Sequence, residues 1–84
     1  MATIQEDIRA WIDEAKSKGA THLIVACDTF DHEDYPIPCM SAQECRDKFK
    51  SHNGPNMQKV MEVYDLSLDI EEQLNERRAM HLPA

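Results

Sequence analysis

The sequence predicts an α+β fold: a single small domain in the order α-β-β-α-β-α, a three-stranded sheet with helices packed on it. Three observations carry this prediction. The apolar run Leu23-Ile24-Val25-Ala26-Cys27 is too short for a helix and lies between Gly19 and an acidic turn, as a strand buried on both faces does. Ahead of it, Ile4, Ile8, Trp11, Ile12 and Ala15 recur at helical spacing. Three helix starts share a capping pattern, a short polar residue with glutamate three positions on: Thr3 and Glu6, Ser41 and Glu44, Asp69 and Glu72.

The first helix is expected over residues 4–18. Glu6 and Asp7 sit near its positive end, Lys16 and Lys18 near its negative end, and Gly19 supplies the stop. Trp11, in mid-stripe, reads as core. The first strand is expected from about His22 to Phe30. Period two puts Ile24, Ala26, Asp28 and Phe30 on one face and Leu23, Val25, Cys27 and Thr29 on the other. Asp31-His32-Glu33-Asp34 reads as the turn; centred near Glu33, it sets Cys27 against Cys39. Pro36 and Pro38 cannot donate to a ladder, so the return strand is expected to be short and at a sheet edge.

A short helix over about 42–51 turns Ala42, Cys45 and Phe49 inward and Arg46, Lys48 and Lys50 outward, and residues 51–56 form a loop. Residues 57–68 fit either a helix or a strand. The clustering of β-branched and aromatic residues favours a strand over about 58–66, with Val60, Tyr64 and Leu66 on one face and Met61 and Val63 on the other. The last helix is expected over about 70–80, burying Ile70, Leu74 and the stem of Arg77, and residues 78–84 are expected to fray.

Eighty-four residues make a small core. A chain of this size buries about 60–65% of the surface it exposes when unfolded, so stabilisation by assembly into a homo-oligomer is expected. Sixteen acidic against nine basic residues give a formal charge of −7, which opposes bulk nucleic acid and anionic membranes as partners. The N-terminus lacks the basic region and apolar core of a signal peptide, and three cysteines are an odd number. A cytoplasmic protein with reduced thiols is expected, with no cofactor.

Two stretches, Gly19-Ala20-Thr21-His22-Leu23-Ile24-Val25 running on through Cys27-Asp28-Thr29-Phe30-Asp31 to Tyr35-Pro36, and Asn56-Met57-Gln58-Lys59-Val60-Met61-Glu62-Val63-Tyr64-Asp65-Leu66, together resemble a family of small uncharacterised proteins of bacterial and phage genomes. The resemblance spans Trp11 to Arg78 and brings no activity with it. Where that family continues the second strand with apolar residues, this chain has Pro38-Cys39, a departure that bears on the strand's length. A phage setting implies a protein that blocks or absorbs a component of host defence.

Candidate chemistry falls in two places. Asp28, Asp31 and His32, with Glu33 and Asp34, offer carboxylate oxygens and an imidazole to a divalent metal, although no calcium-loop spacing is present and a solvated turn explains the same residues. Arg46, Lys48, His52 and Asn53, with Tyr64, Arg77 and Arg78, offer guanidinium forks, loop amides and a ring to a phosphorylated ligand, although each group alone reads as a solvated face or as core. Cys27, Cys39 and Cys45 lack zinc-ligand spacing and an adjacent base. Three functions follow. The first is a sequestering protein that holds a small nucleotide-type signal at an oligomer interface; the second is a protein-interaction module or inhibitor that uses the acidic hairpin. The third is a small metal-dependent hydrolase centred on that hairpin.

Overall fold

A strand that is apolar at successive positions needs cover on both faces, and the N- and C-terminal parts of this chain supply one layer while its middle supplies the other. The computed structural model describes residues 5–54, 57–76 and 79–83. It contains α1 (Gln5–Ser17), β1 (His22–Asp28), β2 (Glu33–Cys39), α2 (Ala42–His52), β3 (Gln58–Asp65) and α3 (Ile70–Leu74). β1 is the central strand, antiparallel to β2 on one side and to β3 on the other. Thr3 and Ile4 of the expected first cap and stripe lie outside the described residues, as do Arg77 and Arg78. No helix among the described residues is long and apolar enough to cross a membrane.

Leu23, Val25 and Tyr64 pack against Ile8, Ile12 and Ala15 of α1, with Leu74 and Ala79 completing that layer. Ile24, Ala26, Cys39, Val60 and Val63 pack against Cys45 of α2, with Phe49 and Ile37 at the margin. Each fully buried Leu, Ile or Val contributes about 1.5–3 kcal/mol. This burial, not the exposed Arg9–Glu71 ion pair between α1 and α3, holds the α1 layer in place.

Local signals set the helix ends. Ala20 N–H donates to Ala15 C=O and Gly19 N–H to Lys16 C=O, both at 3.0 Å, with Gly19 at a φ of +81°. This is the Schellman arrangement, in which the left-handed residue closes the last turn. Ser41 Oγ accepts from Glu44 N–H at 3.1 Å, and Glu44 Oε1 accepts from Met40 N–H at 3.2 Å, one residue before the expected reciprocal partner. Asp69 caps α3 by accepting from the N–H groups of Glu71 and Glu72.

Several expectations are corrected. Asp28 pairs with Glu33, so the turn centres between Phe30 and Asp31, and Cys27 stands opposite Asp34 rather than Cys39. β2 lies at an edge but is seven residues long. Pro36 and Pro38 are two residues apart, in one phase of the ladder, where an edge strand faces away from its neighbour and needs no donor. In β3 a bulge opposite Val25 and Ala26 shifts the register, so Val60 and Val63 share the α2 face while Tyr64 and Leu66 share the α1 face. Strict period two had grouped Val60 with Tyr64; one inserted residue reverses the alternation.

α3 ends at Leu74 rather than near residue 80. Among the described residues beyond it, 79–81 are tied to the sheet. Val63 N–H donates to Ala79 C=O at 2.9 Å and His81 N–H donates to Val63 C=O at 3.0 Å, a parallel bridge along the outer edge of β3. Ala79 is fully buried in the α1 layer, and the edge offers backbone partners that solvent would otherwise supply. Gln73, only 2% exposed, closes the same region. Its Oε1 accepts from Asp65 N–H at 2.8 Å, and its Nε2 donates to Asp65 C=O at 2.9 Å and Asp69 C=O at 3.1 Å. A side-chain amide here takes the place of a further strand residue.

Two outcomes follow. Gly19→Ala lowers stability by about 1–2 kcal/mol in chemical denaturation, through the left-handed φ alone, since an added Cβ meets no atom within 4 Å. Gln73→Ala is expected to be the more damaging of the two, at about 2–3 kcal/mol, because it removes the acceptor of Asp65 N–H and one of the two donors to Asp65 C=O, which keeps Leu68 N–H.

Candidate functional site

At one end of the sheet, the turn Thr29-Phe30-Asp31-His32 lies beside the start of β3 and the end of α2. Asp28 organises the turn. Its C=O accepts from His32 N–H at 2.7 Å, and its Oδ1 accepts from Phe30 N–H at 2.8 Å and Asp31 N–H at 3.3 Å. This side-chain capping is what favours Asp at the first position of a turn. His32 closes the turn at a φ of 59°. Thr29 then joins the turn to β3, its N–H and its hydroxyl both donating to Met57 C=O at 2.8 Å. Met57 holds a φ of 61°, a left-handed conformation that few non-glycine residues adopt.

The Asp28 carboxylate is therefore occupied by backbone amides. The expected metal set of Asp28, Asp31 and His32 does not converge, and among the described residues no three His, Cys, Asp or Glu side chains are placed to hold a metal ion.

Beneath the turn, on the α2 face, a polar knot ties three elements together. Tyr35 Oη donates to Gln58 Oε1 at 2.7 Å. His52 Nδ1 meets the same oxygen and lies 3.3 Å from Tyr35 Oη. A carbonyl oxygen only accepts, so His52 bonds it as the Nδ1–H tautomer. Asn53 Oδ1 accepts from Val60 N–H at 3.3 Å, and Gly54 N–H donates to Gln58 C=O at 2.7 Å. His52 and Asn53, expected to face a phosphate, instead anchor the end of α2 to β3.

The other members of the expected phosphate set are dispersed. Tyr64 is 1% exposed inside the α1 layer, where burial and then Glu62 hold its phenol above its ordinary range. Arg46 and Lys48 lie on α2, across the sheet, and Arg46 Nη2 donates to Gln43 Oε1 at 2.9 Å. Within one chain, Tyr64 and the α2 residues cannot touch one ligand. Arg77 and Arg78 lie outside the described residues.

Cys39 and Cys45 are both fully buried and hydrogen-bonded to each other, and that hydrogen bond holds Cys45 below its ordinary range. Burial, then Asp34, pushes Cys27 up, and a hydrogen bond with Cys45 together with burial holds Cys39 far above its ordinary range.

What this end of the molecule does present is apolar surface. Phe30 is 71% exposed and Met57 56%, the two most exposed large apolar side chains among the described residues. Their backbones are joined through Thr29, and the exposed Asp31 and Glu33 flank Phe30. Sequence reasoning placed Phe30 on the Ile24 and Ala26 face of the first strand and Met57 at the start of the segment that fits either a helix or a strand.

The occupied carboxylate gives a clear expectation. Asp28→Ala lowers stability by about 1–2 kcal/mol, whereas Asp28→Asn, which keeps the accepting oxygen, changes it by much less. Thermal melts of the two variants check this.

In comparisons with protein-family models, with curated proteins and with solved structures, the chain matches none. The functional reading therefore rests on the chain's own geometry.

Proposed function

We propose that this protein is a small interaction module whose acidic hairpin end docks onto a basic, apolar-pocketed surface of another protein. The observation that carries the reading is the exposure of Phe30 and Met57 on a rim that hydrogen bonds make rigid. Exposed apolar side chains with polar neighbours mark interaction sites, and preorganised anchors lose little conformational entropy on docking. The left-handed Met57 supports the same reading, since strain held in place by the surrounding structure concentrates at functional positions.

Charge supplies the second element. Asp31 and Glu33 stand beside the anchor, in a chain of formal charge −7, so a basic partner associates faster and with strong dependence on salt. This favours the interaction module over the nucleotide-sequestering reading, whose expected residues, among those described, are split between the two faces of the sheet.

Affinity capture followed by measured binding tests the proposal. Phe30→Ala and Met57→Ala each weaken binding of the captured partner by about 2 kcal/mol, roughly thirtyfold, without changing the melting temperature. Asp31→Lys with Glu33→Lys slows association and removes its salt dependence. If both alanine variants bind as tightly as the parent, the rim is not the docking surface. Sedimentation of the protein alone shows whether the occupant is instead a second copy.

A further inference from the structure

The opposite end of the sheet carries a second arrangement, independent of the hairpin. His22 begins β1 and pairs with Asp65 at the end of β3. Thr21 Oγ1 lies 2.9 Å from His22 Nδ1, and His22 Nε2 lies 3.8 Å from Asp65 Oδ2. The other carboxylate oxygen of Asp65 accepts from Ser67 N–H at 2.9 Å and Ser67 Oγ at 2.6 Å. These four residues line an open cleft of about 440 Å³ together with Lys16, Ala20 and Leu66. His22 is 7% exposed, whereas Thr21 faces solvent.

The order of groups is hydroxyl, imidazole, carboxylate. Burial works against charge on Asp65, but the two hydrogen bonds from Ser67 outweigh it, with help from His22, and keep the carboxyl below its ordinary range. The charge of Asp65, 3.8 Å from Nε2 and so acting through space rather than by a hydrogen bond, favours the tautomer with the ring proton on Nε2 and the Nδ1 lone pair toward the Thr21 hydroxyl. Thr21 Oγ1 has one other acceptor within reach, Cys39 C=O at 3.4 Å, longer than its distance to His22. An activated hydroxyl is recognised by this geometry, in which a nucleophile touches a base and a third group orients the base.

We infer that this cleft is an acyl-transfer site for small esters, with Thr21 as nucleophile, His22 as general base and Asp65, braced by Ser67, as the positioning residue. Thr21 Oγ1 attacks the ester carbonyl carbon while its proton passes to His22 Nδ1. The bond from that carbon to the alcohol oxygen breaks, and the departing alcohol takes the proton from His22. Water, deprotonated by His22, then attacks the acyl carbonyl carbon; the bond to Thr21 Oγ1 breaks, that oxygen takes the proton back from His22, and the acid departs. The sum is ester plus water giving acid plus alcohol, with no redox change. Lys16, at the cleft wall, brings positive charge to the cleft, which favours the negative oxygen of the tetrahedral intermediate. Ala20 and Leu66 suit a short apolar acyl chain.

The experiment uses the full chain and p-nitrophenyl acetate, following p-nitrophenolate release and mapping the acetylated residue by peptide mass. The expected result is an acetyl group on Thr21 and turnover that falls about a hundredfold in both Thr21→Val and His22→Gln. Thr21 is exposed, so its valine variant keeps the fold, which far-ultraviolet circular dichroism confirms. In Asp65→Asn, kcat falls while KM and the far-ultraviolet spectrum stay as in the parent; an unchanged kcat removes Asp65 from the mechanism. Acetyl confined to lysines or the N-terminus, or release undiminished in Thr21→Val, overturns the inference.

Discussion

Leu23, Ile24, Val25 and Ala26 are each at most 1% exposed, so successive side chains of β1 bury in opposite directions and two separate apolar layers must cover them. That constraint orders the molecule. A strand covered on both faces becomes the middle of its sheet, which puts β2 and β3 at the edges and sends α1 and α2 to opposite sides. The bulge in β3 serves the same end, since it turns Val60 toward the α2 layer without turning Tyr64 away from the α1 layer.

With the middle strand fixed, the edges must be kept from pairing with other chains. On β2 this is done by composition, because Pro36 and Pro38 remove donors from the outward phase. On β3 it is done by cover: the segment around Met80 bridges Val63, and the Gln73 amide satisfies the backbone of Asp65. These devices leave the surfaces of interest at the two ends of the sheet.

The two ends differ in kind. The hairpin end is held by hydrogen bonds that use up its polar groups, so what it offers solvent is Phe30 and Met57 within a negative field. The end at His22 and Asp65 keeps polar groups facing a cleft, with Thr21 accessible and His22 buried beside it. β1 connects the two ends along seven residues.

The sequence by itself determined the element order, the buried central strand, the inward face of α2 and the caps at Ser41 and Asp69. Each of these depends on neighbours a few positions apart, and hydrophobic period and capping chemistry are local. The β3 bulge, the turn centre between Phe30 and Asp31, the docking of Ala79 and the burial of Gln73 depend on partners brought together only by folding. Of the candidate site residues, Asp28, Asp31 and His32 lie in or beside the turn and His52 and Asn53 at the end of α2, and the hydrogen bonds of Asp28, His52 and Asn53 tie the fold together. The exposed pair Phe30 and Met57 and the series Thr21, His22 and Asp65 were not legible in the chain. Residues 22 and 65 become neighbours only through strand register, which tertiary packing sets.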